Sequence, residues 1–375
     1  MHINKRKWLL DFLSKRVTDR VPVIPFIHEN FIREFYRTND IDPVENCIKI
    51  YEHFGFDIIL RTCNVWGYLD ESYCDDTKWR VSTSREGGGD NWSITTTIKT
   101  PEKELTQVKK YYTATTYETV EAVVEYFIKD EDDFSQFVKY QPDVPEYDCA
   151  IIGNAREKLE GKGLAAPWIQ GAFNSVSFYR KLDDLLIDPY INYKFYKHMI
   201  EYFSGRMLEV AKQFAKAGAD MVCYGGNVGN GSVTGPNYFR KYILPYEIDL
   251  INKVRASGLY TLYHNCGDAK SLFGLYSEMK MDIFESLTAP PYGDTILEHA
   301  MEQIDKNIIL AGNIDQIDFL RIAAPAEIKR EVERVLRIGK QRGNFILGTS
   351  DYLSEGTPHE NIFALAEAGM EYGKY

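Results

Sequence analysis

The chain is poor in cysteine, has no long apolar run and carries no basic stretch. Its six cysteines (Cys47, Cys63, Cys74, Cys149, Cys223 and Cys266) are spread over 375 residues, too sparse for a disulfide scaffold. Most are expected to be small buried apolar residues. No apolar run approaches the roughly 20 residues that cross a bilayer. The opening MHINKRKWLLDFLSKR is charged throughout and lacks the uninterrupted apolar core of a secretory signal. It reads as a short amphipathic helix, and a cytoplasmic protein is expected. With a formal net charge of −11 and no Lys/Arg-rich run, the chain offers no positive footprint for nucleic-acid phosphates and none for an anionic membrane surface. Neither G-x-x-x-x-G-K-[ST] nor G-x-G-x-x-G occurs in the order that nucleotide binding requires. There is no internal repeat and no low-complexity linker, so no second domain is required.

What is present is a rhythm. Apolar residues make up 44%, enough for a large core. Eight short segments read as buried strands: 21–26, 57–62, 164–170, 220–226, 260–266, 281–287, 307–313 and 344–350. Each is a near-continuous apolar run, the mark of parallel strands covered on both faces. Helical patterns separate most of them. One of these, 235–258, opens on Pro236 and stops at Gly258, as helix termini do. The alternation predicts an α/β TIM (β/α)8 barrel forming one domain over residues 1–375. Residues 70–115 break the rhythm. Two alternating runs there, NWSITTTIKT and LTQVKKYYTAT, lie close to the glycine cluster EGGGD and predict a β-hairpin excursion after the second strand.

A barrel enzyme works at the C-terminal ends of its strands. Those ends deliver His28, Glu29 and Asn30, then Cys63 and Asn64, Gln170 and Asn174, and Tyr224 and Asn227. They continue with His264 and Cys266, Glu285, Asn313 and Asp315, and Ser350 and Asp351. His264 and Cys266 are two apart, so on a strand they share a face. Imidazole and thiolate are ligands that zinc prefers, and a catalytic zinc takes three protein ligands and keeps one position open. Glu285, at the end of the sixth strand, and Asp351, at the end of the eighth, are the carboxylates placed to complete such a site. The dull alternatives are a core histidine beside a buried thiol, a loop strut for Glu285 and a helix cap for Asp351. The loop YGGNVGNGSVTGP (224–236) reads as a substrate-covering loop. The aromatic stretches NVWGYLDESY, APWIQGAFNSVSFY and ENFIREFY are candidate walls of an apolar pocket.

From DRVPVIPF to TPHENIFALAEAG, the chain resembles the uroporphyrinogen decarboxylase superfamily of barrels. It is most similar to the corrinoid-dependent methyltransferase branch, whose H-x-C zinc motif His264 and Cys266 match. The resemblance implies zinc at these residues, a methyl group moved between a small substrate and a corrinoid, and either direction of transfer. The substrate it implies is a methyl ether, which can be aromatic, or a thiol. No D-x-H-x-x-G corrinoid-binding pattern occurs, so the corrinoid is expected on a separate partner protein. Asn227, His28 and Glu285 are the candidate catalytic or substrate-contacting residues, with Asn313 beside them. Two departures stand out. The branch's later third-ligand cysteine is missing, and Asp351, in LGTSDYLSEGTP, falls in its region. The arginine-rich R-Q-A-G-R stretch of true decarboxylases is replaced by FIHENFIREF. The enzymatic alternative is a metal-free decarboxylase of a smaller carboxylated substrate, with Arg61 as its carboxylate-binding residue.

Overall fold

The structure, a computed structural model, describes residues 4–15, 18–66 and 77–375. Twelve strands occur among the described residues, and eight of them run parallel. They are β1 (Ile58–Leu60), β6 (Gly163–Ala165), β7 (Trp168–Gln170), β8 (Met221–Gly225), β9 (Tyr260–His264), β10 (Ile283–Glu285), β11 (Ile309–Ile314) and β12 (Phe345–Thr349). β1 pairs with β6, and β7 through β12 pair in chain order. These strands are buried nearly throughout, as the continuous apolar runs require. Helices follow most strands. The helix Pro325–Arg342 shows why the sequence sets its bounds. It begins on a proline, whose missing N–H is no loss there, and ends before Gly343, whose φ of +79° suits the left-handed terminus.

Two predicted strands are interrupted by proline. Segment 164–170 divides into β6 and β7 around Pro167, which has no N–H to donate. Segment 21–26 contains Pro22 and Pro25, and it makes isolated bridges in place of a ladder: Val23 to Leu347 and Phe26 to Tyr352, both parallel. Ile24 N–H donates to the Leu347 carbonyl (2.7 Å), and Asp57 N–H donates to the Val23 carbonyl (3.0 Å). The segment therefore touches β12 on one side and the residues leading into β1 on the other.

The excursion after β1 is larger than the single hairpin expected. β2 (Arg80–Gly88), β3 (Asn91–Lys99), β4 (Glu104–Thr113) and β5 (Thr119–Glu125) form a four-stranded antiparallel sheet in chain order. The glycine cluster makes the β2–β3 turn, where Gly87 and Gly89 have φ of +83° and +60°. β5 was missed because TVEAVVE is short and largely exposed. The turn between β4 and β5 reaches back to the parallel strands. Thr115 Oγ1 donates to Glu355 (2.7 Å), and Glu118 accepts from the Tyr352 hydroxyl (2.9 Å). Residues 70–76 of the predicted excursion, and 67–73 of the stretch NVWGYLDESY, lie outside the described residues. No helix among the described residues is long and apolar enough to cross a membrane.

Candidate metal centre

β9 carries His264 to its C-terminal end, and the chain leaves the strand before Cys266. The two side chains still converge. One ligand atom each from His264, Cys266 and Asp351 lies within 4.8 Å of the others. His264 is buried, and the other two are half-buried. Asp351 arrives two residues after the end of β12, and its N–H is fixed by donation to the Gln316 side chain (3.1 Å). Imidazole nitrogen, thiolate sulfur and carboxylate oxygen are all zinc donors, so the residues present fit the ion that the resemblance implies.

Glu285 lies behind the imidazole and outside that group of three. Its Oε2 is 2.9 Å from His264 Nδ1, and both carboxylate oxygens accept from the terminal nitrogens of Arg61. The side chains of Arg61 and Glu285 are only 2% and 5% exposed, so this is a fully desolvated ion pair. Burial by itself would raise the Glu285 pKa. The Arg61 charge and the bonds from His264 and Arg61 overcome it and bring the carboxyl down to about 2. Burial opposes a charged His264. Hydrogen bonds to Cys266 and Glu285, with the Asp351 charge, outweigh that and push its pKa up to about 10. His264 Nε2 lies 3.8 Å from Asp351 Oδ1. One ring nitrogen thus faces Glu285 and the other faces the donor group.

Asn227 accepts the Cys266 backbone N–H on its Oδ1 (3.4 Å), which ties the glycine-rich loop after β8 to the loop holding the thiol. His28 is exposed, with Nδ1 3.1 Å from Asn30 Oδ1 and its ring 5.1 Å from that of Tyr352. It stands one ring away from the centre. Phe26 lies between, 6.1 Å from His28 and 6.0 Å from His264. Trp168 is 5.6 Å from His264 and 5.8 Å from Phe26, and Tyr352 is 6.0 Å from Phe26. Phe26, Trp168 and Tyr352 form an aromatic wall beside the imidazole. Sequence reasoning flagged the stretch around Trp168; Phe26 stood only as the last residue of a predicted strand, and nothing singled out Tyr352.

Other strand-end polar residues have structural work. Asp315 accepts from the N–H groups of Ile317, Asp318 and Phe319 and fixes the turn into the following helix. Asn64 binds the Trp168 N–H and the Arg61 carbonyl. Asn313 Nδ2 donates to the Leu287 carbonyl, while its buried Oδ1 and the Ser350 Oγ have no partner. Burial pushes Cys47, Cys63 and Cys223 up to about 12, which makes them inert thiols in the core.

The sequence pattern of the family described as Uroporphyrinogen decarboxylase (URO-D) matches residues 112–372, more than half of the chain. Curated relatives include a Methylcobamide:CoM methyltransferase MtbA from Methanosarcina acetivorans, 20% identical over 183 residues. A Methylated-thiol–coenzyme M methyltransferase from Methanosarcina mazei is 25% identical over 158 residues. These matches cover 46% and 42% of this chain. The chain spans about half the length of the curated relatives it matches, 48% of the first and 39% of the second. A solved methyltransferase from Methanosarcina mazei superposes with a TM-score of 0.72 at 15% identity, covering 98% of both chains, so the two share a fold. The chain belongs to the uroporphyrinogen decarboxylase family, and within it resembles the corrinoid-dependent methyltransferases.

Proposed function

We propose that this protein is a zinc-dependent methyltransferase that moves a methyl group between a small substrate and a corrinoid carried on a separate protein. His264, Cys266 and Asp351 hold the zinc. The observation that carries the reading is the convergence of these three unlike donors at the ends of two parallel strands. The methyltransferase relatives support it. When bound, zinc supplies Lewis acidity to an oxygen or sulfur atom of the substrate.

The chain's own residues do the rest. Glu285 accepts from His264 Nδ1–H, which fixes the tautomer and leaves Nε2 for the ion. Asn227 holds the Cys266 backbone. Cys266 would hold the ion as its thiolate. Phe26, Trp168 and Tyr352 exclude water on one side and present apolar surface to the substrate, with His28 at the outer edge. An oxygen donor where the resembling branch has a second sulfur makes the ion harder, which favours a methyl ether over a thiol. The metal-free decarboxylase needs Arg61 for a substrate carboxylate, but both ends of its guanidinium are spent on Glu285. We further propose that segment 21–26, β1, β6–β7 and β8 to β12 close into a (β/α)8 barrel forming one domain, and that the protein is cytoplasmic. Hydrogen bonds on both sides of segment 21–26 support closure.

Metal analysis tests the centre. Protein purified without chelators is expected to hold about one zinc per chain, and His264→Ala and Cys266→Ala are expected to lose it. A folded wild type that takes up no zinc would retire the reading.

A further inference from the structure

Arg61 is a buried charged residue just past the end of β1, and its charge must have a use or a partner. Its partner, Glu285, is 224 residues away in the chain. Both Glu285 oxygens receive Arg61 nitrogens, and Oε2 also receives His264 Nδ1. The guanidinium lies over the Phe26 ring at 4.4 Å, and Phe26 in turn meets His264 edge to face at 6.0 Å. Arg61, Glu285, His264 and Phe26 therefore form a closed ring of contacts built from four separate stretches of chain. A buried carboxylate 2.9 Å from an imidazole has two fates: to stay on Nδ1, or to swing toward any cation nearby. A two-pronged guanidinium occupying both oxygens blocks the second.

We infer that Arg61 is a positioning residue for the metal centre, acting only through Glu285: it holds that carboxylate on His264 Nδ1 and away from the ion. The inference rests on the metal reading above. The polar contacts of the Arg61 guanidinium are with Glu285 and not with the three donors, so a plain core ion pair is the competing account. The two accounts differ in what removal of Arg61 does to the ion, and in whether that effect depends on Glu285.

The test is a double-mutant cycle on the full chain with Arg61→Met, Glu285→Gln and the double variant, plus Arg61→Lys. Zinc affinity is read by competition with a chromogenic chelator, and ligand geometry by the visible absorption of the cobalt(II)-substituted protein. Arg61→Met is expected to weaken zinc by about tenfold or more, as loss of a ligand's hydrogen-bonding support does, and to change the cobalt spectrum. In the Glu285→Gln background the same substitution should alter affinity by no more than about twofold, because the two sites act as one. Arg61→Lys, with its charge but not its fork, should recover part of the loss. Arg61→Lys keeps a positive charge beside Glu285, so its affinity and cobalt spectrum, set against wild type, test the loss of the fork even if Arg61→Met or Glu285→Gln misfolds. The inference is overturned if Arg61→Met leaves affinity and spectrum at wild-type values, or if the loss is equal in both backgrounds. A wild type that binds neither metal overturns the metal reading itself, and this inference with it.

Discussion

At the scale of single residues, His264 and Glu285 set a pH dependence that chelator-treated protein should display. The His264 pKa is raised from 6.5 to about 10. The pair's contribution to stability is therefore whole below pH 6.5 and is lost as pH climbs through 10. The Glu285 pKa is lowered from 4.5 to about 2. Its contribution is whole above pH 4.5 and is lost as pH falls through 2. Urea denaturation of wild type against His264→Gln should show a difference in midpoint that shrinks between pH 6.5 and 10. A difference that grows over that range would contradict the assigned geometry. Asp351→Asn tests the third donor. It keeps the shape and the backbone but removes the anionic oxygen, and zinc affinity is expected to drop by about tenfold or more while stability stays within about 0.5 kcal/mol. The strand ends named His264, Cys266 and Asp351 one residue at a time, but left Glu285 beside Asp351 as an equal candidate for the third donor; their convergence appears only in the fold. The Arg61–Glu285 bond was not legible, since nothing local in DIILRT or in FESLTAPPYGD signals a partner 224 positions away.

At the scale of elements, the join between β8 and β9 backs the end of the strand that carries His264. Gly226 N–H donates to the His264 carbonyl (3.0 Å). A Cβ on Gly226 would sit 2.1 Å from the Tyr263 hydroxyl and 2.3 Å from its ring, and Tyr263 is fully buried. Gly226→Ala is expected to destabilise the fold by about 1–3 kcal/mol through overpacking, and to weaken zinc because the end of β9 must shift. Thermal unfolding and chelator competition on one preparation check both, and an alanine variant that matches wild type would show that Tyr263 gives way freely. The strand pattern was readable from apolar runs, since burial on both faces leaves few alternatives. Exact pairing was not, because Pro22, Pro25 and Pro167 withdraw donors and cut ladders that the runs alone suggest are continuous. The excursion sheet was half-read for the opposite reason: two exposed faces leave a weak alternation in its outer strands.

For the whole molecule, chain order and space coincide: β7 through β12 are neighbours in sequence and in the sheet, so the order of these parallel strands could be anticipated from alternation alone. The four-stranded sheet is the exception, an insertion between β1 and the rest that returns to the rim at its β4–β5 turn. Thr115 and Glu118 grip Glu355 and Tyr352, and Tyr352 is the next residue after Asp351. The appended sheet is thus bolted to the chain one step from a proposed ligand. Movement of the β4–β5 turn would have to carry the Tyr352 hydroxyl with it or break its bond to Glu118.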